Sequence, residues 1–176
     1  MSSTYLPLLN PYSAFAEKTF FPWLKICSLY QQKPKGVREY IAASKLDQHP
    51  ILATQEEQFI TLQISEDFPK QWKNLGFTHI HFGAIRIALT YHGRKDETIV
   101  AHLSLLDTRY NKYQYANLGT TKITINAGIV FVTLFPNINM SPYGPYLTKL
   151  LMIQVQIQGS PQNRDVIQAT LHSQIV

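Results

Sequence analysis

The sequence predicts an all-β domain with one or two short helices, folded as an antiparallel β-sandwich. Three observations predict it: apolar and polar residues alternate through most of the chain after Gln58, turn residues punctuate those stretches at short spacing, and no regular strand–helix–strand alternation of the parallel kind occurs. Periodicity alone does not separate a jelly roll from another Greek key.

The chain divides by pattern into an arm, 1–50, and a sandwich core, 51–176. In the arm, prolines at 7, 11 and 22 interrupt Tyr5, Tyr12, Phe15, Phe20, Phe21, Trp23 and Tyr30. That segment cannot form one continuous helix or strand, and it is too apolar for a simple solvated tail. It is expected to dock on its own sandwich, with contact to another subunit as the rival. The following KGVREYIAASKLD places Val37, Tyr40 and Ile41 near helical spacing. A short amphipathic helix covering one end of the sheet is expected there, its mixed charges arguing against a membrane surface.

Beyond Gln58 the period becomes two. FITLQI is read as a strand and EDFPKQWKNLG as a connection; 78–91 and 98–106 make a hairpin with a charged tip, His92 to Glu97, where Gly93 can supply a positive φ. TTKITIN alternates two faces, and GIVFVTLF is continuous enough to be covered on both sides. A long loop follows from Pro136 to Pro145. Two amphipathic strands close the chain, with Leu151, Ile153, Val155, Ile157 and Ile167, Ala169, Leu171, Ile175 inward. Their opposite faces, Met152, Gln154, Gln156, Gln158 and Gln168, Thr170, His172, Gln174, are expected to be wet.

With 176 residues, 45% hydrophobic and 15% charged, the chain has the composition of one globular domain rather than of a disordered one. The apolar run around Ile129 to Phe135 is broken by Thr133 and stopped by Pro136, far short of the roughly 20 residues a membrane-spanning helix needs. No secretory signal pattern opens the sequence, so a cytoplasmic location is expected. Cys27 alone forms no intramolecular disulfide and no thiolate metal site, and burial between Ile26 and Leu29 accounts for it. The net charge of +5 is diffuse, with six bases and three acids through residue 50, seven of each in 51–112, and three bases and one acid after that. Such a balance permits modest, salt-sensitive, sequence-independent nucleic-acid binding without concentrating it on one run.

The most informative stretch is FTHIHFGAIRIALTYHGRKDETIVAHLSLLDTRY, 77–110, a paired-strand unit closing on Asp107 and Arg109. A carboxylate directly after Leu105 and Leu106 lies at a sheet margin, where it can accept backbone N–H bonds as a strand-terminating Asx turn or pair with Arg109. The run DTRYNKYQY interleaves Arg109 and Lys112 with Tyr110, Tyr113 and Tyr115. Bases could stack on tyrosine while the cations meet phosphate; equally, Tyr113 and Tyr115 on one strand face could simply pack across the sheet. With the basic tip residues Arg94 and Lys95, the candidate nucleic-acid contacts are Arg94, Lys95, Arg109, Lys112, Tyr113 and Tyr115.

His79 and His81 stand two apart on an expected strand and could form half a metal site, with His92 and His102 as additions. A cupin-like metalloenzyme is the enzyme reading this pair raises, but no acid ligand accompanies it at a recognisable spacing and Arg86 lies nearby. Neither GxSxG, HExxH, CxxC nor a phosphate loop occurs. A non-catalytic protein without cofactor or bound metal is expected.

The order HFGAIRIALTYHGRK, LSLLDTRY, LGTTKITINAGIVFVTLFPN and KLLMIQVQIQG resembles the movement proteins of plant pararetroviruses, a branch of the thirty-kilodalton superfamily of viral movement proteins. The likeness covers about 50–176 and is strongest between Ile80 and Phe135. It implies a single jelly-roll sandwich, and it matches Asp107 to the superfamily's signature aspartate at a strand end; Arg86, Gly93, Arg94 and Arg109 match the pararetrovirus branch. It further implies a non-enzymatic protein of viral origin, or a plant-genome relic of one. Such a protein associates with itself, binds single-stranded nucleic acid or virus particles, meets host proteins and acts at plasmodesmata. Members usually extend past a strand like VIQATLHSQIV into a tail that can contact virions, so a chain ending there is expected to be an excised domain, a shortened product or a relic. A capsid-like jelly-roll subunit is the alternative from a second class.

Overall fold

The structure, a computed structural model, describes residues 47–94, 98–125, 128–160 and 163–176. The expected docking of the arm, its helix over 35–46, Cys27 and the tip residue Lys95 lie outside the described residues, while Asp47, expected at the end of that helix, opens the first strand.

Among the described residues, ten strands form two four-stranded antiparallel sheets and one small two-stranded sheet. In chain order they are β1 (Asp47–Ala53), β2 (Gln58–Leu62), β3 (Ile80–Phe82), β4 (Ile85–Tyr91), β5 (Ile99–Asp107), β6 (Asn117–Ile125), β7 (Ile129–Leu134), β8 (Ile138–Met140), β9 (Leu151–Gln158) and β10 (Asn163–Ile175). Helix α1 spans Asp67–Asn74, α2 spans Tyr113–Ala116, and a 3-10 turn covers Leu147–Lys149. One large sheet has the order β1-β10-β4-β7 and the other β2-β9-β5-β6. Read position by position, each strand has its chain neighbour at the same place in the other sheet. That wrapping of a long antiparallel ribbon into two layers is a jelly roll.

The inward faces build the core. Ile85, Ile87 and Leu89 of β4 and Leu171 of β10 meet Leu103 and Leu105 of β5 and Ile153, Val155 and Ile157 of β9, all essentially inaccessible. At about 25 cal/mol per Å² of apolar surface removed from water, this interlayer core is the main force holding the sheets together. Alternation at β9 follows the expected pattern, with Leu151, Ile153, Val155 and Ile157 buried and the glutamines of the other face partly or fully exposed.

Six expectations are corrected by the structure. The segment 78–91 is not one strand: the chain leaves it at Gly83 and Ala84, whose amides both donate to the Val176 carbonyl, so β3 pairs with β8 while β4 enters the core sheet. Nor do 78–91 and 98–106 make a hairpin: β4 pairs with β10 and β7 in one sheet and β5 with β6 and β9 in the other, so the chain crosses between layers, and Gly93 has no positive φ. The connection EDFPKQWKNLG contains α1, with Pro69 in the first turn, where its missing N–H costs nothing, and Phe68 stacked on Trp72 one turn later. A strand not read from sequence, β1, crosses the 50/51 boundary; Pro50 disguised it, and Pro is tolerated there because β1 is an edge. On β10 the polar face is not wet, since Gln168, Thr170 and His172 are all buried. This strand is central, flanked by β1 and β4, and Gln168 is satisfied by Ser160 and by donating to the Leu52 carbonyl at 2.7 Å. Ile167, expected inward, is about half exposed because the β1–β10 register shifts beside it.

Candidate functional site

Strand β5 runs from Ile99 to a corner at Asp107, and the corner holds the most deeply buried polar side chain among the described residues. Asp107 is 1% exposed. Its Oδ1 accepts from the Arg109 backbone N–H at 3.0 Å and from Arg109 Nε at 3.0 Å, while Oδ2 accepts from Nη2 at 2.6 Å. The two-residue spacing lets one carboxylate close the Asx turn and take a two-pronged guanidinium contact together, so both readings of the sequence hold at once. Hydrogen bonding to Asp107, reinforced by its charge, raises the Arg109 pKa further above its ordinary value, against a smaller opposing effect of burial.

The corner is also tied to the opposite loop. Asp107 is in register with Leu151 of β9, the Thr108 amide donates to the Leu150 carbonyl at 2.8 Å, and Thr108 Oγ1 donates to the Lys149 carbonyl at 2.9 Å. A carboxylate buried and bonded in this way has no open face for a substrate. Its chemistry is bracing.

The tyrosine run that follows is not a strand. Lys112 precedes the helical turn α2, which removes the expected strand face shared by Tyr113 and Tyr115. The Tyr113 hydroxyl lies 3.0 Å from Ser104 Oγ and accepts from Asn117 Nδ2 at 3.3 Å, and Ser104 Oγ also meets Thr120 Oγ1 at 3.0 Å. This network pins α2 to the outer face of β5 and β6 while leaving half of the Tyr113 side chain in solvent. Tyr115 is 65% exposed, and Tyr110 carries the Arg109 guanidinium 5.9 Å from its ring centre. Arg109 thus offers phosphate only what Asp107 leaves uncommitted.

A second aromatic and cationic group at the same end was missed from sequence. Lys73 Nζ of α1 sits 4.7 Å from the Tyr143 ring centre, and Tyr143 and Tyr146 are both largely exposed just before Lys149. The available signal was the run SPYGPY, where tyrosines stand among loop formers and no core requires them. Arg94 does not join these residues. It lies beyond the opposite end of β5, roughly 26 Å from the corner at about 3.3 Å per strand residue. The structure therefore groups Arg109, Lys112, Tyr113 and Tyr115 and separates Arg94 from them.

The histidines do not converge. His81 Nδ1 is 2.8 Å from Asn139 Oδ1, His79 precedes β3 and bonds Thr78, and His92 Nε2 is 2.7 Å from Thr170 Oγ1 just past the end of β4. His102 lies on the outer face of β5, opposite Lys122 and Gln156. Among the described residues no three His, Cys, Asp or Glu side chains are close enough to hold a metal ion. Elsewhere, burial lowers the pKa of His172, with His92 and His49 adding to the effect; burial likewise lowers that of His49, against the pull of Asp47. Arg86 is lowered by burial and donates to Gln174 Oε1 at 3.1 Å. No helix among the described residues is long and apolar enough to cross a membrane.

No protein-family model matches the chain. It is 65% identical over 175 residues to the genome polyprotein of Petunia vein clearing virus, in both the Shepherd and the Hohn isolates. The match takes in 99% of this chain and 8% of each polyprotein, so the chain spans a small part of the relatives' length. Identity at that level makes the chain a homologue of a viral polyprotein segment. Among solved structures, it resembles turnip yellow mosaic virus (TM-score 0.44, 8% identity, 76% of this chain and 91% of that one) and rhinovirus-B5 (TM-score 0.47, 10% identity, 84% and 82%).

Proposed function

We propose that this chain is the movement module of a plant pararetroviral polyprotein. On this reading it is a non-catalytic jelly roll that associates with copies of itself, binds single-stranded nucleic acid or virus particles, and acts with host proteins at plasmodesmata. The observation that carries the reading is the state of Asp107. The residue matching the superfamily's signature aspartate ends a strand, is buried to 1%, and is held by Arg109, which suits a structural signature and no catalytic one. Homology to a plant-virus polyprotein and the resemblance of 80–135 to pararetroviral movement proteins support it. The nucleic-acid surface on this reading is the corner end, with Lys112, Tyr113 and Tyr115 as its contacts.

A fluorescent fusion expressed in leaf epidermis tests it. Puncta at shared walls and spread into neighbouring cells are expected, with both lost in Asp107→Ala. A fusion that stays diffuse and confined to the expressing cell sinks the reading.

The strand order favours a second reading, a capsid-like subunit, because shells also use eight-stranded jelly rolls that self-associate. Electron microscopy of the purified protein separates the two. Closed shells select the capsid reading, whereas tubules select movement.

A further inference from the structure

The four outer strands of the sandwich are not equally protected. Edge strands present unpaired N–H and C=O groups, and proteins blunt them with Pro, bulges, short length or inward charge. Strand β1 has Pro50, two register irregularities, and a side-chain clamp in which Gln58 accepts from the Leu52 amide and donates to the Leu52 carbonyl, both at 2.9 Å. Between β1 and β2 opens a cleft of about 760 Å³ with Asp47, His49, Glu66 and Lys149 in its wall. Strand β2 has five residues and β7 has six.

Strand β6 has none of these devices from Gly119 to Ile125. It is nine residues long, the longest of the four, its register with β5 is regular over that stretch, and five of its residues are β-branched. Its single charge, Lys122, points to the outer face beside His102 rather than into the seam. Among the described residues no strand pairs with its far side. The inner side of this flank is aliphatic: Leu118 and Ile123 of β6 and Val130, Val132 and Leu134 of β7 are only partly covered by the core. A partner that supplied both a strand and an apolar flank would finish both surfaces.

We propose that the occupant is a second copy of this chain, pairing β6 with β6 in antiparallel register about Thr121 and joining two four-stranded sheets into one of eight. The proposal rests on the self-association in the reading above and specifies its surface. An antiparallel pair of identical strands is self-complementary about a twofold axis, so a closed dimer satisfies both edges at once. Centring on Thr121 places Lys122 opposite Thr120 of the partner subunit, not opposite its own copy, which avoids the penalty of like charges directly across a ladder. It also brings the two aliphatic flanks side by side.

Light scattering of the purified full chain during gel filtration reads the mass. Twice 20.2 kDa is expected for the unmodified chain and 20.2 kDa for Thr121→Lys, with unchanged circular dichroism, because a charge turned into the seam is a natural edge blocker. Leu52→Lys on the β1 edge leaves the dimer intact. Thr121→Cys in a Cys27→Ser background gives a covalent dimer on mild oxidation, and this decides the matter if Thr121→Lys fails to fold. A single-chain mass at the highest soluble concentration, an assembly that folded Thr121→Lys leaves unaltered, or no cross-link at Thr121→Cys overturns the proposal. A monomeric chain that still collects at shared walls would sink this interface while leaving the movement reading standing.

Discussion

The two ends of the sandwich are made of the same kind of material, loops between antiparallel strands, and are built to opposite specifications. At the corner end, Asp107 and Arg109 lock the exit of β5, Thr108 ties it to the 147–150 turn, and rigid supports hold up exposed tyrosines and lysines. At the other end, Gln168 bonds Ser160 and the Leu52 carbonyl, Gln58 clamps Leu52 and His92 meets Thr170, so side-chain bonds there tie strands together, while the tip beyond Gly93 carries an exposed Arg94. The difference teaches that the aromatic and cationic surface is preorganised. A tyrosine whose scaffold is already fixed loses less conformational entropy when a base stacks on it.

Removing the lock is the strongest way to break that contrast. Asp107→Ala leaves the Arg109 amide and guanidinium without their acceptor and opens a small void beneath the corner, and it should cost about 3 kcal/mol of folding stability. Urea denaturation reads it as a lower midpoint. Asp107→Asn, which keeps one acceptor for the Arg109 amide, should lose less. Equal losses for the two variants would show that charge, not shape, holds the corner.

The lock was legible in sequence because it is local: an acid after an apolar pair and a base two residues on can meet through a single turn. The strand order was not legible in this way. It depends on pairings such as His49 with Leu171, more than a hundred residues apart, and periodicity records only that a strand alternates. The buried polar face of β10 shows the same limit. Gln168, Thr170 and His172 have an exposed strand's composition, and only their central position and distant partners bury them. Tyr113 and Tyr115 were misplaced for the converse reason: an alternating tetrad reads as a strand, but the Tyr113 hydroxyl, bonded with Ser104 and accepting from Asn117 Nδ2, holds it as a helical turn.

A smaller effect sharpens the picture of how the tyrosines are held. Tyr113→Phe removes one hydroxyl from the Ser104 and Asn117 network and should cost about 1 kcal/mol, whereas Tyr115→Phe, whose side chain is mostly in solvent, should leave thermal stability unchanged. Identical melting curves for the two would mean that α2 is not pinned through Tyr113.

Acid probes the sheet that the corner does not touch. Burial holds the His172 pKa below its ordinary value of 6.5 in the folded chain, so below that pH the unfolded chain binds more protons than the folded one. The contribution is fully present above about pH 6.5 and is lost as pH falls from there towards the folded pKa. His49, shifted the same way, adds to the trend. Stability measured by urea at successive pH values should fall through this window, and His172→Gln should flatten the curve. A slope unaltered in that variant would assign the effect to other groups.

The finest test sets one end directly against the other without disturbing the fold. Each cation that contacts phosphate releases counterions, so losing one lowers the salt dependence of log affinity by about 0.9 on duplexes and about 0.7 on single strands. If the corner end is the nucleic-acid surface, Lys112→Ala should reduce the slope for a single-stranded oligonucleotide by about that amount. Arg94→Ala, roughly 26 Å away along β5, should leave it unchanged. Tyr115→Ala should weaken binding with little change in slope, because stacking on a neutral ring releases no counterion. The reverse pattern, with Arg94 carrying the slope, would move the surface to the β4–β5 tip and make the preorganised corner a support for something other than nucleic acid.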